Sequence, residues 1–188
     1  MGAEGARMSK IEARSSIIEG LGIFATTAFG PGDQIAAVHV VREVTAETPI
    51  RPELGERIEH CAYPNGKTVL IAFPERHVNH SCDPNAFEKF EGERSCFVAL
   101  RPIDVGEEIT IDYNVNITMG TSWPCHCGAA RCQGRVEGEF FNLPIDRQRE
   151  YRPLLAEWFV QGNRERISAL DQSAPNSRMQ RTSARHDV

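Results

Sequence analysis

Lysine is nearly missing from this chain. Lys10, Lys67 and Lys89 are the only three, and arginine supplies the rest of the 21 basic side chains. Arginine in place of lysine is the mark of GC-rich coding rather than a functional signal. A basic excess is absent too: the formal net charge is −5, which leaves no overall positive field for nucleic acid and suits a basic peptide better. No apolar run approaches the length of a membrane span, and no charged-then-apolar leader opens the chain. The expectation is an intracellular (cytoplasmic, or nuclear in a eukaryote) protein with no membrane contact and no direct nucleic-acid partner. In a reducing compartment six cysteines do not read as a disulfide framework. Internal repeats are lacking as well.

What is present is one domain's worth of chain. With 188 residues, 40% hydrophobic and 25% charged, it is long enough for a real core and short for two. Turn signals cut its first two thirds into short strands. Residues 10–18 alternate loosely as a strand. Residues 34–45, rich in Val, Ile and Ala and fed by the Gly30-Pro31-Gly32-Asp33 turn, read as another. Residues 52–61 suggest a short helix with Leu54, Ile58 and Cys61 on one face. A turn at Pro64-Asn65-Gly66-Lys67 leads to a buried strand over 68–73. Residues 86–90 and 95–100 flank Glu91-Gly92-Glu93 as a hairpin, and 108–113 alternate as a strand. Residues 146–170 show helical spacing at Leu154, Leu155, Trp158, Phe159, Ile167 and Leu170, with Pro153 near a helix start or kink. Residues 1–9 read as a flexible start and 171–188, without apolar period, as a disordered tail.

Chemistry concentrates in two stretches. Asn79-His80-Ser81-Cys82-Asp83-Pro84-Asn85-Ala86 holds two amides, an imidazole, a hydroxyl, a thiol and a carboxylate, with no long apolar side chain. Alone it would be a polar surface turn, because Asp83-Pro84-Asn85 is good turn chemistry. Further on, Cys125, Cys127 and Cys132 put three thiols within eight residues, beside Gly128 and Gly134, which allow tight turns. Cys-x-Cys is not the redox Cys-x-x-Cys spacing. Zinc takes four tetrahedral ligands and favours thiolates in closed sites, so it is the better reading. The fourth ligand must come from elsewhere, and Cys82, Cys96, Cys61, His126 and His80 are all candidates.

Four segments occur in order: Gly20-Leu21-Gly22-Ile23-Phe24-Ala25; Arg76-His77-Val78-Asn79-His80-Ser81-Cys82-Asp83-Pro84-Asn85; Gly106-Glu107-Glu108-Ile109-Thr110-Ile111-Asp112-Tyr113; and Cys125-His126-Cys127-Gly128-Ala129-Ala130-Arg131-Cys132-Gln133-Gly134. Together they resemble the SET-domain protein lysine methyltransferases that carry a cysteine-rich post-SET segment. The resemblance runs through roughly residues 10–135 as motifs rather than continuously.

The resemblance implies a mostly β (α+β) fold of several small sheets, with a pseudoknot between residues 79–86 and the C-terminal strand, a post-SET zinc site and C-terminal helices. Its layout would be a SET domain over 10–118, a post-SET zinc-binding segment over 119–143 and helices over 144–170. It implies S-adenosylmethionine as methyl donor, contacted by Gly20, Leu21, Gly22, Arg76, Asn79 and His80. Small residues at Gly20 and Gly22 would admit the cofactor closely, and His80 would act through its backbone. Tyr113 matches the catalytic tyrosine, orienting a neutral lysine amine rather than acting as base. The metal ligands implied for Zn²⁺ are Cys82, Cys125, Cys127 and Cys132. Cys61 and Cys96 match no motif and read as small buried hydrophobes. Asp112 reads as a turn stabiliser, and Glu107 and Glu108, adjacent on a strand, as solvated or structural. Phe140 and Phe141 either cover the cofactor or channel mouth or pack on the terminal helices.

Three departures from the family stand out. Ile111 occupies a position where relatives often carry Phe or Tyr that tunes product methylation. The strand after Asp33 reads Val38-His39-Val40-Val41-Arg42-Glu43 in place of Tyr-x-Gly-Glu, so an aromatic channel wall is missing or comes from elsewhere. No cysteine-rich segment precedes residue 10, so a compact stand-alone enzyme is expected. Two functions follow: methyl transfer to the side-chain amine of a lysine in a protein or peptide substrate, such as a basic tail, or a zinc-stabilised SET-like peptide-binding module without turnover. Methylation of a group other than lysine is a thinner third reading.

Overall fold

The computed structural model describes residues 9–92 and 94–172. In chain order its strands are β1 Ile11–Ser15, β2 Leu21–Ala25, β3 Gln34–Val38, β4 Val40–Glu43, β5 Cys61–Ala62, β6 Val69–Ile71, β7 Asn79–His80, β8 Ala86–Glu91, β9 Arg94–Ala99, β10 Glu108–Ile111, β11 Trp123–Pro124 and β12 Arg135–Val136. Helices α1 Ile145–Tyr151, α2 Glu157–Gly162 and α3 Arg164–Gln172 close the described chain. The strands form four small sheets, ordered β1-β2-β10-β7, β3-β9-β8, β4-β6-β5 and β11-β12. The mostly β fold with terminal helices is the one the motifs implied.

The main core lies where the first two sheets meet. Ile11, Ile23, Phe29, Ile35, Phe97, Ile103 and Ile109 are its large members, none more than 5% exposed. Removing an Ile or Phe side chain from water is worth about 1.5–3 kcal/mol each, so this cluster is a large share of the folding drive. A second core joins the terminal helices: Phe140, Leu143, Tyr151, Phe159, Ile167 and Leu170 are all buried. Phe140 packs edge-on to Phe159 at 5.6 Å and Phe141 stacks on it at 5.9 Å. The Phe pair therefore packs on the terminal helices.

Two strand arrangements position the site. β10 carries three consecutive residues, Ile109, Thr110 and Ile111, whose β-branched side chains suit a pleated surface. It pairs antiparallel with β2 and parallel with β7, matching Thr110 to Asn79 and Ile111 to His80. The two segments expected to form the pseudoknot are thus neighbours.

Several boundaries differ from the sequence reading. Residues 34–45 are not one strand. β3 pairs with β9 and β4 with β6, and the chain changes sheet at His39, whose carbonyl accepts from the Ala72 N–H. A strand that serves two sheets has to break. Residues 52–61 make two 3₁₀ turns and β5 instead of a helix. Gly55 sits at φ 73°, ending the first turn, and Leu54 and Ile58 are 64% and 51% exposed, so no apolar face is buried. Glu56 turns inward there, between Arg42 and Arg51. α3 runs to Gln172, two residues into the stretch read as a tail; residues 173–188 and 1–8 lie outside the described residues. Cys61 and Cys96 are half-buried, not core residues.

Candidate metal centre and adjoining cleft

The polar octamer is not a surface turn. Asn79, His80, Ser81, Cys82, Asn85 and Ala86 are all buried, and only Asp83 is exposed. Buried polar groups must find partners, and these find them on β10. The Asn85 amide donates to the Glu108 carbonyl (2.8 Å) and to Glu107 (3.0 Å), while its oxygen accepts from the Thr110 N–H at 2.9 Å. The Asn79 amide donates to the Glu108 carboxylate (2.8 Å) and to the carbonyls of Leu21 and Glu19. Glu108 also accepts from Ser16 Oγ at 2.8 Å. Glu107 and Glu108 are structural acceptors.

His80 bridges the tyrosine to the first cysteine. Its Nδ1 accepts from the Tyr113 N–H at 3.1 Å, and its Nε2 lies 3.3 Å from Cys82 Sγ. Burial lowers its pKa, with Asp112 opposing and Arg147 adding to that shift, so the ring is neutral with its proton on the Nε2 side. The Tyr113 hydroxyl donates to the Val78 carbonyl at 2.5 Å. Burial first, then the negative charge of Glu108, raise its pKa above the ordinary phenol value. Asp112 is 6% exposed; its Oδ1 accepts from the N–H and amide of Asn114, and its Oδ2 from Tyr151. It is a turn stabiliser, as expected, and it also anchors a terminal helix.

Cys82, Cys125, Cys127 and Cys132 converge. Their sulfur atoms all lie within 4.8 Å of one another, and Cys82 and Cys125 are 3.8 Å apart. A tetrahedral thiolate site with Zn–S near 2.3 Å has S···S edges of about 3.8 Å, so the donor set fits that ion. Strands β11 and β12 clamp the loop, with the Cys125 N–H on the Gly134 carbonyl at 3.0 Å. Burial pushes the Cys82 thiol up. Against the same push, the N–H groups of Cys82 and Ala129 hold Cys127 down to about 7. Among the described residues the other candidate ligands, Cys61, Cys96 and His126, are not in this group, and His80 contacts it only through Cys82.

A cleft of about 1180 Å³ adjoins the cysteines. Gly20, Leu21, Arg76, Asn79, His80 and Tyr113 all line it; Gly22 does not. A Cβ at Gly22 would instead overlap the Glu108 carboxylate, so its smallness answers to that side chain, and Gly20 has open space around it. Arg76 donates to His77 Nε2 at 3.3 Å and lies 5.9 Å over the Phe73 ring. Val38 and Ile111 stand on the cleft wall, and aromatic rings reach it from Tyr63, Phe73, Phe90 and Trp158. His39 turns to Glu75 (3.2 Å) instead.

Sequence reasoning missed the buried amides Asn114 and Asn116 and the pair Arg147 and Tyr151. Asn114 Oδ1 accepts from the N–H groups of Glu137 and Gly138, and Asn116 Oδ1 from that of Ala156 at 2.7 Å. Two amides at alternate positions right after a strand were a legible sign of backbone capture.

Small sheets with a parallel β7–β10 pairing and a cysteine-capped cleft define a β domain of the SET type. The SET domain family profile matches residues 20–114, half of the chain, and the chain belongs to that family. Histone-lysine N-methyltransferase Set2 of Drosophila melanogaster is 44% identical over 68 residues, covering 34% of this chain and 3% of that protein. The H3 lysine-36 specific histone-lysine N-methyltransferase of Candida albicans is 49% identical over 61 residues, 30% of this chain and 7% of that protein. Histone-lysine N-methyltransferase ash1 of Drosophila melanogaster is 28% identical over 158 residues, 72% of this chain and again 7% of its own length. The chain thus spans 3–7% of the length of these curated relatives. A solved Plasmodium falciparum chain overlays with a TM-score of 0.44 at 23% identity, covering 55% of this chain and 91% of its own, too loosely to carry argument.

Proposed function

We propose that this domain transfers a methyl group from S-adenosylmethionine to the side-chain amine of a lysine in a protein substrate, and that Cys82, Cys125, Cys127 and Cys132 hold a structural Zn²⁺. The observation that carries this reading is the gathering of Gly20, Leu21, Arg76, Asn79, His80 and Tyr113, from three separate motifs, on one cleft. The methyl donor supplies a sulfonium-bound methyl, which a neutral amine takes as the N–C bond forms and the C–S bond breaks. The chain's part is to align the amine and exclude water. Tyr113, with its raised pKa, stays a neutral phenol and is not the base. Its proton is committed to Val78, which leaves oxygen lone pairs to accept from an amine N–H or a polarised C–H. Tyr63, Phe73, Phe90 and Trp158 are candidates for the aromatic wall that residues 38–43 do not supply. The SET portion would cover residues 10–118 and the post-SET portion 119–143. An unstructured basic segment matches the net charge of −5. That the three curated relatives reported above are named as histone-lysine N-methyltransferases supports the choice of lysine.

The test is transfer of labelled methyl from S-adenosylmethionine to a mixture of basic proteins, with the acceptor identified by mass spectrometry. We expect labelled lysine, and a loss of about 100-fold in rate in Tyr113→Phe, the size typical of a positioned transition-state contact. Tight donor binding with no transfer to any protein would establish the binding module instead, a reading favoured by the missing Tyr-x-Gly-Glu pattern in residues 38–43.

A further inference from the structure

We propose that α1 is a positioning element of this site, setting the metal-bearing loops and the Asp112–Tyr113 segment in one arrangement through Arg147 and Tyr151. The inference rests on the roles given above to Tyr113 and the four cysteines. α1 lies outside the residues that match the family, 20–114.

An ordinary terminal helix docks by an apolar face. α1 docks by a mostly polar one: its buried residues are Arg147, Gln148 and Tyr151, of which only Tyr151 joins the helical core, while Ile145 is 45% exposed. Positions 147, 150 and 151 share one helix face. On that face the Arg147 guanidinium, 7% exposed, donates through Nη2 to the Cys82 carbonyl and to the Tyr151 hydroxyl, and stands 3.8 Å from Asp112 Oδ2. The hydroxyl of Tyr151, itself a buried residue, donates to Asp112 Oδ2 at 2.9 Å. Glu150 takes the other arm: it accepts from Arg147 at 2.9 Å and from Arg131, the neighbour of Cys132, at 2.7 Å. Arg131 also reaches Asp83, the neighbour of Cys82, at 3.5 Å.

One turn of helix therefore touches both loops that carry the cysteines and the carboxylate adjoining the tyrosine. A planar guanidinium can hold a carbonyl, a hydroxyl and a carboxylate at fixed angles, whereas a lysine ammonium is a single flexible point charge. Moving α1 would move Cys82 and Asp112 together. His80, bonded to the Tyr113 N–H and beside Cys82, couples the same two segments from the other side.

The test uses the full chain loaded with Co²⁺, whose thiolate absorption reports the geometry of the four sulfurs, and follows loss of the ion to a chelator. Arg147→Met should release it at least tenfold faster, Arg147→Lys at an intermediate rate, and Tyr151→Phe about threefold faster with a shifted absorption band. Ile167→Ala, which destabilises the helical core on α3 without touching either loop, should release at the wild-type rate. With a methylatable peptide, kcat should fall about tenfold in Tyr151→Phe while KM stays within twofold. Release rates and spectra within twofold of wild type in the Arg147 and Tyr151 variants overturn the proposal. So does Ile167→Ala matching them at equal loss of Tm. If Arg147→Met does not fold, Tyr151→Phe, which removes one oxygen, decides. A wild-type chain that binds metal but transfers no methyl counts against the functional reading alone, because the metal measurement stands without it.

Discussion

Residues 79–86 and the β4-β6-β5 sheet contribute to the same cleft, and they are held by opposite means. In the octamer the polar groups are inside. Asn79, His80, Ser81, Cys82 and Asn85 are buried, and Asn79, His80 and Asn85 bond to backbone and side-chain groups of β2, β10 and the Asp112–Tyr113 turn. In the small sheet the central strand β6 buries Val69, Leu70 and Ile71, but the flanking strand β4 and the turns leave apolar groups outside. Val40, Val41, Leu54, Ile58 and Phe73 are 48–64% exposed, while Glu56 is buried between two arginines. At the buried polar positions of both regions, Asn85 and Glu56 among them, it is partners that let a polar side chain go inside. Burial without partners is what costs.

The largest expected effect tests the octamer half of that contrast. Asn85→Ala removes two donor bonds and one acceptor bond from a residue that is 1% exposed, and it strands the Thr110 N–H and the Glu108 carbonyl inside the protein. Orphaning buried partners costs roughly 1–3 kcal/mol per group, so a loss of about 4 kcal/mol is expected in denaturant unfolding. An effect below 1 kcal/mol would mean the amide is replaceable by water and the contrast is false.

Gly22→Ala comes next. The added Cβ meets the Glu108 carboxylate, which is held in place by Ser16 and Asn79 and cannot swing aside without losing both. Overpacking of this kind costs about 1–3 kcal/mol. The sharper outcome is the pair Gly22→Ala with Glu108→Ala. If the glycine answers to Glu108, the second substitution restores room, and the double variant is more stable than additivity allows.

What could be read in advance follows the same division. Cys125, Cys127 and Cys132 were legible from their spacing, whereas Cys82 as their partner and the neighbours β7 and β10 were legible only through the family resemblance. Asn85 was read only as a turn residue, since the partner that buries it lies 25 positions away on β10. Residues 52–61 were misread because Leu54, Ile58 and Cys61 have a helical period, yet Leu54 and Ile58 are exposed and Cys61 goes into β5. Arg147 was passed over because an arginine on a short terminal helix is usually solvated, and only the folded chain brings Cys82 and Asp112 to it.

The small sheet answers to acid. The Arg51 side chain first, with its backbone N–H and the charge of Arg42, holds the Glu56 carboxyl down to about 2 against the upward push of burial. A folded pKa below the unfolded value of about 4.5 means the ionised form favours the fold. That stabilisation is complete above about pH 4.5 and is lost as pH falls from there towards 2. Stability measured across this range should drop in the wild type, and Glu56→Gln should flatten the drop while lowering stability near pH 7. An unchanged acid limb would mean the Arg42–Glu56–Arg51 cluster is not what holds these turns.

The smallest effect belongs to the residue that looks most like core by composition. Leu54 is 64% exposed on a 3₁₀ turn that buries none of its own residues. Leu54→Ala removes no cavity-forming contact, and surface substitutions of this sort stay within about 0.5 kcal/mol. The same change at a core position such as Ile109, fully buried under β2, should cost about 2–5 kcal/mol through the cavity it leaves. Measured side by side in denaturant, the two values give the contrast its scale. A Leu54→Ala loss approaching that of Ile109→Ala would show that the turn is covered in solution by another surface, and the apolar exterior of this region would then be an interface.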